Sequence, residues 1–236
     1  MQWLRHARQL LAGRRRRSNA WGALLNRQEI LVAALAMQKN GAVRVLVFER
    51  QHAPAGLVQL SERDDWLVQT LRGLGSHLPA QHRTMALALD EERCRQGVLA
   101  HDAVLSAQQW QAEVQLEAAA AWGVAPDEVG FDFHAEADGD GVQWAACLRE
   151  DLQQWRGHAR SAGWRLPMVE PGGQAARRAA LHLRGDSGGH WADSPQDWQF
   201  SRTPERALAD VDWPSLQAGP LWPPLVACGA ALGVLL

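Results

Sequence analysis

An α/β fold is predicted for this chain by three stretches of its sequence. Residues 20–58 hold three apolar runs with an Asn40-Gly41 pair between the last two, which reads as a β-meander. Residues 106–133, SAQQWQAEVQLEAAAAWGVAPDEVGFDF, read as one helix, a stop and one strand. Strand-like and helix-like runs then follow one another from Val142 to His182.

Composition narrows the class. A chain of 236 residues is long enough for one large domain or two small ones. With 47% hydrophobic and 21% charged residues it is an ordinary globular sequence. A net charge of −2 argues against a dedicated nucleic-acid binder, whose footprint is basic overall. The three cysteines (Cys94, Cys147 and Cys228) are scattered and form no C-x-x-C pair, so they indicate neither a zinc site nor a disulfide framework. A reducing compartment fits them best. Lys39 is the only lysine, and 12 Trp stand against no Tyr, a bias that reads as base composition of the gene before arginine-based anion recognition.

In chain order, residues 1–17 hold six arginines and no acid. Trp3, Leu4, Ala7, Leu10 and Leu11 form an apolar stripe at helical spacing, but no uninterrupted apolar run of a secretory signal is present. Trp3 with Arg14, Arg15, Arg16 and Arg17 is therefore the candidate contact with an anionic membrane surface. The meander follows as AWGALLN, EILVAALAMQKNG and AVRVLVFER. A helix over 61–76 has N-cap oxygens at Ser61 and Asp64 and a buried stripe of Trp66, Leu67, Leu71 and Leu74. HRTMALALD is the next strand, its alanines small enough to pack close to a covering helix, and Cys94 to Leu99 a further short one.

In the central unit, Ser106 and Gln109 stand at the spacing of a capping box. Trp110, Val114, Ala118 and Ala121 share a face, Gly123 suits a left-handed C-cap, and Pro126 forbids the helix to resume. Val129, Phe131 and Phe133 then alternate along a half-buried strand. A strand at 142–148, a helix at 149–162, a strand at 165–169 and a helix near 174–182 complete the ordered part. The stretch 172–212 is loop-rich, with Gly185 to Gly189 reading as a surface turn and WADSPQDWQF as a short hairpin bent at Ser194-Pro195. The final Leu225 to Leu236 run is too short for a bilayer span and reads as a buried packing helix with small residues at its contact face.

The spacing Glu113 to Glu117 to Ala121, then Pro126-Asp-Glu-Val129, then Phe131-Asp132-Phe133, resembles the PilM family of type IV pilus assembly proteins, including shortened HofM-like relatives linked to competence and DNA utilisation. The resemblance covers residues 84–183. It implies a reduced actin-like (ribonuclease H-like) fold with an inserted small α+β subdomain. The implied division is a basic tail at 1–18, a first subdomain at 19–90, an inserted one at 91–165 and a truncated second half at 166–236. It also implies a cytoplasmic adaptor, peripheral at a bacterial inner membrane, that docks the N-terminal tail of a PilN-like membrane protein. Leu87, Leu89, Val114 and Trp122 are the implied groove walls.

ATP with magnesium is the family's cofactor, but it is not carried over to any residue here. The first phosphate turn of actin-like domains reads like Asp-x-Gly-Ser/Thr, and the corresponding Trp21 to Asn26 holds no Asp, Ser or Thr. Lys39 is followed by Asn40, so there is no P-loop, and no G-x-S-x-G or H-E-x-x-H motif occurs. His134 with Asp132 and Glu136 reads as a hydrated sheet surface before a metal site. No catalytic, cofactor or metal residue is expected, which points to a degenerate ATPase used as an adaptor. The competing classes are an active actin-like ATPase and the cytoplasmic domain of a GspL-like type II secretion component. A direct nucleic-acid partner is not expected.

Overall fold

Asn19–Leu25 (β1), Glu29–Met37 (β2) and Val43–His52 (β3) are successive antiparallel strands, as the meander predicts. β1 is buried throughout after Asn19, and β2 from Ile30 to Leu35, which fits continuous apolar runs covered on both faces. The turn joining β2 to β3 is wider than a two-residue hairpin: Gly41 takes φ 82°, and the Asn40 side chain accepts the Ala42 N–H at 3.0 Å. This computed structural model describes residues 19–26, 29–55, 60–100, 105–135, 141–185 and 194–236. Trp3, Arg14, Arg15, Arg16 and Arg17, together with Glu136, Gly188, Gly189 and Trp191, lie outside the described residues.

The described residues form two units, Asp90–Gly157 making the smaller and 19–89 with His158–Leu236 the larger. The larger is built on a six-stranded sheet. After the helix Leu60–Gly75 (α1) comes Thr84–Leu89 (β4), parallel to β1. The chain returns from the smaller unit with Arg165–Pro171 (β8), parallel to β4, and Gln199–Phe200 (β9) closes the opposite edge on β3. The strand order is β8-β4-β1-β2-β3-β9. One face is covered by Gly172–His182 (α4) and Trp222–Leu235 (α6). α6 is apolar on every side and buried from Pro224 through Leu232, the signature of a core helix. On the sheet's other face Trp21 meets Trp164 edge-on, ring centres 5.3 Å apart, and the Trp164 indole donates to the Leu71 carbonyl of α1 at 2.7 Å.

The inserted unit is expected at 91–165, and the smaller compact unit spans Asp90–Gly157. Of residues 166–236, expected as a truncated second half, β8 and β9 join the sheet of β1, and α4 and α6 pack on it. Every residue of β4 is buried, so that strand needs a neighbour on each side, and only the returning chain supplies the second. Likewise Trp198 and Phe200, read as part of a hairpin, lie against β3, with Phe200 opposite Val43. A helix not read from the sequence, Trp213–Ala218 (α5), starts at Asp212, whose carboxylate accepts the Ser215 N–H at 3.5 Å and hydroxyl at 2.6 Å.

The smaller unit is an antiparallel sheet of Arg95–Ala100 (β5), Gly141–Leu148 (β7) and Val129–Ala135 (β6), in the order β5-β7-β6. Ala107–Trp122 (α2) packs on one face, placing Val114, Ala118 and Ala119 against Val129, Phe133, Val142 and Trp144. The buried face is rotated slightly from the expected one, since Ala119 is buried and Ala121 exposed. Both predicted stops are present. Ser106 and Gln109 form a reciprocal capping box, and Gly123 takes φ 67°. Arg149–Ser161 (α3) follows β7, and Arg149 clips its start by donating to the carbonyls of Asp127 (2.7 Å) and Val129 (3.0 Å). Ser106→Ala removes the acceptor of the Gln109 N–H and should cost about 1 kcal/mol, read as a lower urea midpoint for the smaller unit.

Candidate functional site

Ligands of open α/β sheets bind beyond the carboxyl ends of the parallel strands. In the larger unit those are the ends of β1, β4 and β8. β1 ends at Leu25, so Trp21 to Leu25 are buried strand and not a turn, and the bend falls at Asn26 and beyond. There the Asn26 carboxamide oxygen accepts the Glu29 N–H at 2.9 Å, and its amide group donates to the Glu29 carboxylate at 3.3 Å. Arg50 (3.5 Å) and His52 (3.3 Å) reach the other oxygen of that carboxylate. Arg63 of α1 donates to the Asn26 carbonyl at 2.7 Å.

A polyphosphate needs N–H groups, a hydroxyl and a metal-binding carboxylate aimed at it. Among the described residues of this bend the Asn26 side chain and the Glu29 N–H are taken up by each other. The arginines are directed at Glu29 and a carbonyl, and no hydroxyl is present. The donor set of the described residues is that of a self-contained polar clip for a hairpin.

The end of β8 is closed differently. Glu170 is buried and forms a two-pronged ion pair with Arg178 of α4, both contacts 2.7 Å. Arg178 also donates to the Gly229 carbonyl of α6 at 2.8 Å, so one guanidinium ties strand to both helices. Burial acts to lower the Arg178 pKa, but the Glu170 hydrogen bonds and charge outweigh it, and the guanidinium stays charged. At Gly172 a Cβ would come within 2.9 Å of the Leu89 carbonyl oxygen and against Val226, so backbone fills the gap between the ends of β4 and β8.

The four expected groove residues divide between the units. Leu87 and Leu89 are buried in β4 of the larger unit, and Val114 is the centre of the smaller unit's core. Trp122, at the end of α2, keeps part of its surface in solvent, with the Arg95 guanidinium of edge strand β5 lying 5.0 Å over its ring. Trp122 and Trp144 also bury indole N–H groups that meet no protein acceptor. Among the described residues of the smaller unit, the exposed large apolar ones are Val98 on β5 and Leu116 on α2. His134 is exposed and Asp132 half-buried. Among the described residues no group of His, Cys, Asp and Glu is arranged to hold a metal ion, and no helix is long and apolar enough to cross a membrane. Sequence reasoning missed the Glu29 and Glu170 networks. The one signal for the second is a carboxylate directly before Pro171 and the glycine-led start of α4.

No protein-family model matches this chain, and no curated protein matches it either. Solved structures do. A chain of the PilM–PilN type IV pilus biogenesis complex is 18% identical and superposes with a TM-score of 0.55, over 72% of this chain and 54% of that one. The fold is actin-like. The cytoplasmic domain of EpsL, an inner-membrane component of the Vibrio cholerae type II secretion system, is 12% identical over 67% of this chain and 59% of its own, at a TM-score of 0.49. A Bacteroides thetaiotaomicron protein with an actin-like ATPase fold and unknown function is 7% identical over 71% of this chain and 60% of its own, at 0.40. This chain thus spans between half and two thirds of the length of these three solved chains. The clip at Asn26 and the close approach at Gly172 lie at the carboxyl ends of β1, β4 and β8, where open α/β sheets bind their ligands.

Proposed function

We propose that this chain is a docking piece and not a nucleotide hydrolase. It acts as a cytoplasmic adaptor, peripheral at a bacterial inner membrane, in type IV pilus assembly or DNA uptake, and it receives the tail of a PilN-like membrane protein. The observation that carries the reading is an actin-like fold shared with the PilM–PilN complex whose first bend holds a carboxylate clip. An extended tail is recognised by side-chain pockets and exposed backbone groups, which need no catalytic residue. Leu87, Leu89 and Val114 then act as core supporting the docking surface, and Trp122 is the side chain with surface to offer. The basic segment carrying Trp3 and Arg14 to Arg17 gives the adaptor its hold on anionic lipid.

The test is equilibrium binding of a synthetic PilN-like N-terminal peptide to the full chain. Saturable binding is expected, weakened about tenfold or more by Trp122→Ala and unchanged by Leu116→Ala, an exposed position on the same helix. A fluorescent ATP analogue with magnesium is the second arm. If the nucleotide saturates the protein at micromolar concentration and the peptide does not bind, the adaptor reading fails.

A further inference from the structure

Two of the three cysteines meet across the start of a strand pair. Arg95 of β5 stands opposite Ala146 of β7, and the strands run antiparallel. One step back on β5 and one step forward on β7 therefore set Cys94 opposite Cys147, with both side chains on the sheet face away from α2. Directly opposed residues of antiparallel strands have Cα atoms about 4.5–5.5 Å apart, inside the window of about 4.4–6.8 Å that a disulfide spans. On its other flank Cys147 stands opposite Gly130, so no side chain crowds the sulfur from β6. Leu152 of α3 lies over that glycine and shields the site. Both thiols are buried and free.

The position of the pair is as telling as its geometry. The chain passes into the smaller unit at Asp90 and leaves it at Gly157. Cys94 follows the turn in which the Asp90 carbonyl accepts the N–H groups of Arg93 and Cys94, each at 3.1 Å. Cys147 lies in the last strand before α3 carries the chain out. We propose that Cys94 and Cys147 are a redox pair which a low-molecular-weight disulfide closes into a cross-strand bond, stapling the incoming strand of the smaller unit to its outgoing strand.

The step balances with glutathione disulfide as oxidant. One cysteine gives up its proton to solvent, and its sulfur attacks a glutathione sulfur, breaking that S–S bond and releasing one glutathione thiolate. The second cysteine, deprotonated in turn, attacks the protein sulfur of the mixed disulfide and expels the other glutathione. The two thiolates take up the two protons, so two protein thiols are oxidised and one glutathione disulfide is reduced. Burial and then the nearby Cys147 sulfur push the Cys94 thiol up to about 12, and burial and then Asp151 push Cys147 up to about 11. The pair is therefore sluggish at neutral pH, and it reacts when the start of β5 opens beyond the Asp90 turn. Cys228, fully buried in the other unit, is a built-in spectator.

The test incubates the full chain with glutathione disulfide at mildly alkaline pH and reads intact mass, thiol count and peptide maps. The expected product has lost two hydrogens, keeps one reactive thiol after unfolding, and yields a linked peptide joining Cys94 to Cys147. Cys94→Ser should stop at a glutathione adduct on Cys147, and the closed form should resist proteolysis within 90–157 about tenfold better than the reduced form. The proposal is overturned if glutathione adducts persist on the wild-type chain, if a bond forms to Cys228 or between chains, or if all three thiols survive prolonged exposure.

Discussion

Gly229→Ala should unfold the larger unit at markedly lower denaturant, with a loss of about 3 kcal/mol or more. A Cβ at that position would lie well inside contact distance of the Ala175 carbonyl group, so α4 and α6 touch there backbone to backbone. Overpacking is usually relieved when a side chain rotates away, but a carbonyl held in a helix cannot rotate. α4 could retreat only by pulling Ala175, Ala176, Ala179 and Ala180 off the core and loosening the Arg178 contact with the Gly229 carbonyl. Gly22→Ala should act alike, because its Cβ would strike the backbone of Ala227 and Ala231 where α6 crosses β1. The comparison that makes this specific is Gly73→Ala in α1, where an added Cβ meets nothing. That change should stabilise by about 0.5–1 kcal/mol, as alanine does in a helix interior. Urea midpoints of the three variants decide it: equal shifts would mean that close approach of α6 is not what holds the sheet.

Legibility in the sequence tracks how local the deciding interaction is. Ser106 with Gln109, Gly123 and Pro126 mark their helix ends through contacts a few residues away, and the structure places both ends of α2 where those residues put them. The meander strands are equally plain, because each pairs with the next in sequence. The β4–β8 pairing joins Leu87 to Val169 across the whole inserted unit, and no local pattern announces it. Local patterns therefore set the chain after residue 165 apart from the sheet that β8 and β9 extend. The face that α2 buries differs from the expected one for a related reason: positions 118, 119 and 121 are all alanine, so side-chain type does not say which of them the sheet covers.

The same division holds for the site. That Trp21 to Asn26 lacks phosphate chemistry is readable residue by residue. That Glu29 fills the bend is not, because its partners Arg50 and His52 come from β3, and Arg63, which braces the bend, from α1. Leu87, Leu89 and Val114 show the limit from the other side, since an apolar residue that walls a groove and one that fills a core look identical in sequence. Trp122 differs because its amphipathic ring, half in solvent beneath Arg95, is suited to both surroundings.

Arg178→Met should destabilise the larger unit by about 3–5 kcal/mol at neutral pH, because it strands a buried carboxylate. In the wild-type protein Glu170 has its charge answered at 2.7 Å on both oxygens while Arg178 holds the Gly229 carbonyl. Methionine keeps the stem's packing and removes both functions. Burial already pushes the Glu170 pKa up in the wild-type protein against the pull of Arg178, and without that pull it rises further in the folded variant. The penalty is then complete at pH values above that raised pKa and shrinks as pH falls through it, since a protonated carboxyl is cheaper to bury. The variant's urea midpoint should therefore climb toward wild type as pH falls through that raised pKa, the opposite of acid destabilisation. Adding Glu170→Leu removes the stranded group and should recover most of the loss at every pH, because a buried ion pair replaced by apolar side chains of similar volume is often neutral. A pH-independent deficit in Arg178→Met, unrelieved by the second change, would assign the effect to the lost link to Gly229. The β8 end would then be held by a hydrogen bond to α6 and not by the pairing of charges.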